Sequence, residues 1–180
     1  KAMFAENGYV EIGMDHFSLT SDTLYKSAEK GKLHRNFMGY THNYTRLMIG
    51  LGVSSISDSW TAFAQNIKTV EEYQACVNGG KLPVVKGHIL NEEDLILRKH
   101  ILNIMCHFET GWAESAVQCE ALYEGVERLK ELEKDGLVEV NSFGLKVTET
   151  GKAFLRNICM CIDARYWRKT PQAKTFSSAV

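Results

Sequence analysis

Apolar positions recur along this chain in two rhythms. Tyr9-Val10-Glu11-Ile12-Gly13 is short, β-branched and bounded by polar residues, and predicts a strand with Asp15 and His16 beyond its C-terminal end. From Ser21 the spacing lengthens. Leu24, Tyr25 and Ala28 share a stripe opposite Lys26, Glu29 and Lys30, which predicts a helix capped by Ser21 and stopped at Gly31. Residues 37–41 read as extended. Leu47, Met48, Ile49, Leu51 and Val53 make a run dense enough for a buried strand over 46–56. Thr69 followed by Glu72 predicts a capping box at the start of a helix ending near Asn78. A helix between extended segments is the alternation of a parallel sheet.

Gly79 to Pro83 interrupts the pattern, and 79–83 is the expected junction between two regions, 1–80 and 81–180. The second region is mainly helical. Asn91 caps a helix over 92–108 whose apolar residues cover more than one face, with Glu92, Glu93 and Asp94 facing the positive end of its dipole. A second helix over 114–134 ends at Gly136. A hairpin follows over 137–147, and Thr148 caps a last helix through Ile162. The predicted class is α/β followed by mainly α, and the order helix, helix, hairpin, helix is winged-helix-like.

Composition narrows the function classes. The chain has 180 residues, 44% hydrophobic and 24% charged, with a net charge of −1. That is ordinary globular composition without a basic field to attract nucleic acid or an anionic membrane. The predicted 114–135 helix sharpens this: a winged-helix nucleic-acid binder would place it in a groove, yet it carries seven acidic against three basic side chains. No apolar run approaches the ~20 residues of a membrane span, and Lys1-Ala2-Met3-Phe4 is too short for a secretory leader. Five irregularly spaced cysteines suit free thiols in a reducing compartment. The expected location is therefore cytoplasmic.

Candidate chemistry concentrates in two stretches. His34-Arg35-Asn36-Phe37-Met38-Gly39-Tyr40-Thr41 combines cationic, amide and aromatic side chains. Gly50-Leu51-Gly52-Val53-Ser54-Ser55-Ile56-Ser57 offers closely spaced glycines at which a backbone can approach a ligand. On residue types alone these are also a strand-to-loop junction with Arg35 in a structural ion pair, because a lone G-x-G lacks the third glycine of a dinucleotide fingerprint. Cys159 and Cys161 lie two apart on a predicted helix, hence on different sides of it, and neither has a partner at zinc spacing; they read as buried, unligated thiols.

Gly8 to Phe17, His34 to Thr41, Gly50 to Ser57, Phe63-Ala64-Gln65-Asn66 and Arg156 to Cys161 occur here in one order. Together they resemble the C-terminal part of the oxygen-independent coproporphyrinogen III oxidase family, within the radical S-adenosylmethionine enzymes. The resemblance implies that 1–80 closes a partial parallel β/α barrel. It implies oxidative decarboxylation of two propionates of coproporphyrinogen III to vinyls, giving protoporphyrinogen IX, with S-adenosylmethionine, a 4Fe–4S cluster and an electron-donor protein. Phe37, Met38 and Ile56, with the Gly50 and Gly52 backbone, match positions near S-adenosylmethionine. Met38 stands where better-known members have Gln, which removes an amide donor and acceptor. His34 and Arg35 suit the substrate propionates. The cluster motif Cys-x-x-x-Cys-x-x-Cys is absent from the chain, so the ligands are expected upstream of Lys1 and the piece alone is expected to be inactive. Strand edges left by a cut barrel are expected to drive self-association. Haem-carrying relatives differ in the segment aligned with 34–41, where this chain has the enzyme-like His-Arg-Asn-Phe.

Overall fold

The computed structural model describes residues 1–169. A short helix α1 (Ala2–Glu6) leads into a hairpin of β1 (Tyr9–Gly13) and β2 (His16–Leu19). Helix α2 (Thr23–Glu29) is followed by a second hairpin, β3 (His34–Asn36) and β4 (Gly39–Thr41). Strands β5 (Ile56–Asp58), β6 (Ala62–Asn66) and β7 (Val84–Ile89) form one sheet, with α3 (Val70–Asn78) between β6 and β7. The chain then runs through α4 (Glu92–His107), β8 (Glu109–Gly111), α5 (Glu120–Lys134), β9 (Val138–Asn141), β10 (Gly144–Val147), α6 (Leu155–Ile162) and α7 (Ala164–Lys169).

The parallel βαβ alternation expected over 1–80 is not what these strands make: each pairing among the described residues is antiparallel. The turns explain why. Met14 and Asp15, between β1 and β2, both have positive φ (44° and 63°), the two-residue turn geometry whose twist matches a hairpin. Asn36 Oδ1 accepts the Met38 N–H at 2.8 Å and folds the β3–β4 turn, while Gly39 follows at φ 125°. Parallel strands need a crossover of a dozen or more residues, which two-residue turns cannot supply.

The expected strand over 46–56 is a correction as well. It reduces to one bridge, Met48 with Asp58, and Leu47, Ile49 and Leu51 are exposed. Gly50 and Gly52 interrupt it, and their peptide groups are held by side chains: Ser57 Oγ accepts the Gly50 N–H, Tyr73 Oη accepts the Gly52 N–H, and Asn66 Nδ2 donates to both carbonyls. A Cβ on Gly50 would meet the Ile56 carbonyl oxygen at 2.8 Å, so this loop packs against β5 too closely for a side chain.

Helix starts follow local chemistry. Asp22, next to the expected Ser21, caps α2 by accepting the Leu24 N–H at 2.7 Å. Asn91 makes a complete capping box with Asp94. Thr69 precedes α3, but its hydroxyl donates to Glu72 Oε2 at 2.6 Å and accepts no backbone amide. The helix expected from 114 starts at Glu120: Ser115–Val117 make a 3₁₀ turn, Gln118 and Cys119 are extended, and His100 Nε2 holds, at 2.7 Å, the Val117 carbonyl that a longer helix would turn to its own amides. The hairpin over 137–147 forms as β9 and β10, and β8 joins it as a third strand that periodicity did not reveal. Thr148 Oγ1 accepts the Gly151 N–H and starts a 3₁₀ turn ahead of α6.

The main core lies where α4, α5 and α6 meet the β8–β10–β9 sheet. Ile104, Leu122, Leu129, Leu155, Ile158 and Ile162 are within 1% of complete burial, each side chain contributing about 1.5–3 kcal/mol. A smaller core of Ile12, Leu33 and Cys106 holds the first hairpin and α2 against the rest. β7 pairs with β6, so one sheet continues across residues 79–83. No helix among the described residues is long and apolar enough to cross a membrane.

Candidate functional site

Hairpin β3–β4, the β5–β6–β7 sheet and one face of α4 enclose two adjoining cavities. Arg35, Asn36, Asp58, Arg98 and Leu102 line both and form the wall between them. The hairpin is fixed first. Tyr40 lies opposite Arg35 in register and donates its hydroxyl to Met105 O at 2.8 Å, tying the hairpin to α4. Burial pushes the Tyr40 phenol up to about 12, only partly offset by the Arg35 charge, so it stays a donor at neutral pH. The Arg35 guanidinium stacks over the Tyr40 ring at 4.5 Å. Its Nη1 is buried without a hydrogen-bond partner among the described residues. An orphaned buried donor is costly unless a ligand satisfies it.

Arg98 holds the common wall. It grips Asp58 in bidentate fashion (Nη2 to Oδ2 2.6 Å, Nη1 to Oδ1 3.1 Å) and donates to the Trp60 carbonyl at 2.9 Å. The guanidinium lies over the rings of Trp60 (4.5 Å) and Phe63 (4.8 Å). Asp58 Oδ1 also accepts the Trp60 N–H at 2.8 Å, supporting a residue at φ 68°.

The first cavity is polar and cationic. His34, Lys99, Asn103 and His107 line it with Tyr44, whose ring lies 4.9 Å from that of His34. Burial lowers the His34 pKa, and the neighbouring His107 lowers it further. Cys106 reaches the same cavity, and burial pushes its thiol up to about 11, so it stays protonated and unreactive at neutral pH. The second cavity has an apolar wall of Phe37, Phe63, Leu97, Ile101 and Met105, with Phe37 and Phe63 packed edge to face at 5.1 Å. Its polar end holds His88, Asp94, Asp163 and Arg165. Arg165 binds Asp94 through two 2.6 Å hydrogen bonds, which hold the Asp94 carboxyl below the usual range.

The residues singled out in the sequence separate here. His34, Arg35 and Phe37 line the cleft. Met38 sits at the exposed hairpin turn, and Ile56, Gly50 and Gly52 line neither cavity. Sequence reasoning missed Asp58, Trp60, Arg98, Lys99 and His107. The available signal was the Arg98-Lys99-His100 cluster in a helix otherwise read for its apolar positions. Among the described residues no group of three His, Cys, Asp or Glu side chains could hold a metal ion. Cys159 and Cys161 are buried, and burial pushes the Cys159 thiol up to about 12.

No family model matches the chain. Oxygen-independent coproporphyrinogen III oxidase of Escherichia coli strain K12 is 36% identical over 99% of this chain and 40% of that protein. The protein of that name from a Synechocystis strain is 35% identical over 99% of this chain and 40% of its own length. A solved structure of coproporphyrinogen III oxidase from Escherichia coli, described as a radical SAM enzyme, superposes with a TM-score of 0.84 at 36% identity, covering 91% of this chain and 39% of that one. The chain thus matches the C-terminal part of the oxygen-independent coproporphyrinogen III oxidases and spans about two fifths of their length.

Proposed function

We propose that this chain is the substrate-holding C-terminal part of an oxygen-independent coproporphyrinogen III oxidase, which decarboxylates two propionates of coproporphyrinogen III to vinyl groups. The observation that carries the reading is Arg35: a guanidinium with a buried, unpartnered Nη1, held on the Tyr40 ring at the wall of a cleft. A carboxylate is the acceptor such a fork fits best. His34 beside it supplies a second donor, and the rings of Tyr44 and Trp60 offer an apolar face to a pyrrole.

The chain's residues do not fit the iron–sulfur cluster: the cysteines lack the ligand spacing and the described residues hold no metal-binding group. S-adenosylmethionine fits the second cavity, where Phe37, Phe63 and Met105 suit an adenine ring or a methionyl chain. When bound it supplies the hydrogen abstraction that starts propionate oxidation. Of the positions matched to the family's S-adenosylmethionine contacts, Phe37 lines this cavity, whereas Met38, at the exposed turn, does not. The part played by this chain is to position ligands and keep water out, the protein's share in cofactor chemistry. In the parent, 1–80 would close the barrel. The order of α4, β8, α5, β9, β10 and α6 supports a winged-helix-like unit that docks on it, since α5 pairs its Arg128 and Lys130 with its own Glu124 and Glu127 and leaves no basic face for phosphates.

The test restores the upstream coding region, reconstitutes the cluster without oxygen and supplies S-adenosylmethionine, reductant and coproporphyrinogen III. Mass spectrometry should show loss of two carbon dioxide molecules, and Arg35→Ala should raise KM by at least about tenfold. Cleavage of S-adenosylmethionine without decarboxylation would give the chain another substrate, and an Arg35→Ala enzyme with normal KM would remove Arg35 from substrate binding.

A further inference from the structure

Lys99, Asn103 and His107 are four residues apart in turn on α4, hence on one helix face. All three line the first cavity together with His34 and Arg35 of β3. Asn103 donates its Nδ2 to Thr110 Oγ1 at 3.3 Å, which orients the amide between the two basic groups. Among the described residues, Lys99, His107, His34 and Arg35 form no ion pair. Among the described residues the one carboxylate on the cavity is Asp58, and both its oxygens are engaged by Arg98. Two elements therefore bring the cations Arg35 and Lys99 and two imidazoles to one concave surface with no free anion, among the described residues, to balance them. A helix face turned to water carries such groups at no cost. Gathering them around a cavity raises their mutual repulsion, which an entering anion relieves.

We propose that Lys99, supported by His107, is a second carboxylate anchor for the substrate and a determinant of specificity for its acidic side chains. The inference rests on the substrate assignment made above. One carboxylate meets the planar fork of Arg35 on the hairpin, and another meets the mobile ammonium of Lys99 on the helix. Two anchors on separate elements recognise the spacing of two acidic side chains on one edge of a macrocycle, which a single Arg cannot do. Lys99 acts in binding and takes no part in bond breaking.

The test measures binding of coproporphyrin III, the stable oxidised form of the substrate, to the chain by fluorescence titration, with its tetramethyl ester as the uncharged control. The native chain should prefer the acid to the ester. Lys99→Met should weaken the acid about tenfold, leave the ester unchanged, and be restored to within about twofold by Lys99→Arg. Because Lys99 is exposed, thermal melting should not move. Native affinity for the acid in Lys99→Met overturns the anchor and leaves the substrate assignment standing. Equal weakening of acid and ester overturns it too, as a packing effect. A native chain that does not distinguish acid from ester overturns the substrate assignment itself, and the anchor with it.

Discussion

At the scale of single residues, Arg98 and Asp58 pair in the wall that both cavities share. Their side chains are only 15% and 11% exposed, so each is buried because the other is present. Removing one strands an uncompensated charge, which costs more than the pair contributed. Asp58→Ala should therefore lower stability by about 3 kcal/mol, read as a shift of the urea midpoint; a change under about 1 kcal/mol would mean that water already screens the pair. The same pair shows what a sequence hides. His34, Arg35 and Phe37 were legible because they are neighbours in one short stretch of sequence. Asp58 and Arg98 are forty positions apart, and only the fold makes them partners. At Gly50 and Gly52 residue types pointed to backbone approach to a ligand, whereas the neighbours in the fold are Ile56, Ser57, Tyr73 and Asn66 of the same chain.

At the scale of elements, local chemistry and local spacing were read more safely than strand direction. Two capping signatures looked alike in sequence and differ in the structure. Asn91 and Asp94 exchange both backbone bonds, whereas the Thr69 hydroxyl is spent on the Glu72 carboxylate. Asn91→Ala should therefore cost about 1 kcal/mol and Thr69→Ala only a few tenths, compared by denaturant midpoints under one condition. Equal losses would show that the box adds nothing to its helix. Helix α4 was legible from its apolar spacing and caps. The β1–β2 hairpin was not, because its strand direction is set by two turn residues that accept positive φ. Met14 and Asp15 do so without the glycine that would have announced it.

At the scale of the whole molecule, the described chain leaves sheet edges open. β7 is the outer strand of its sheet, and Val84, Val85 and Ile89 on it are exposed. We expect the isolated chain to associate through such edges, giving particles larger than a monomer by light scattering at high concentration, with Val85→Lys shifting them toward monomer; a clean native monomer would contradict this. The larger core makes a separate prediction about pH. His100 is 1% exposed and joins α4 to two other segments, with Nδ1 at 2.8 Å from Thr110 Oγ1 and Nε2 at 2.7 Å from Val117 O. A carbonyl only accepts, so Nε2 carries the proton, and Nδ1 accepts from the threonine hydroxyl. Burial lowers the His100 pKa from its ordinary 6.5, although the Val117 hydrogen bond opposes this. The folded chain therefore keeps a neutral imidazole at a pH where the unfolded chain has already bound a proton. Stability from this group is complete above 6.5 and declines as pH falls below it, by at most about 1.4 kcal/mol per pH unit. His34, lowered chiefly by burial, adds in the same direction. Urea midpoints taken from pH 8 to pH 5 should fall below pH 6.5. A His100→Gln chain should be less stable throughout yet flatter over that interval, because glutamine offers a donor and an acceptor without titrating. A variant whose midpoint falls as steeply as the native one would place the acid sensitivity elsewhere, with His34 the next group to replace.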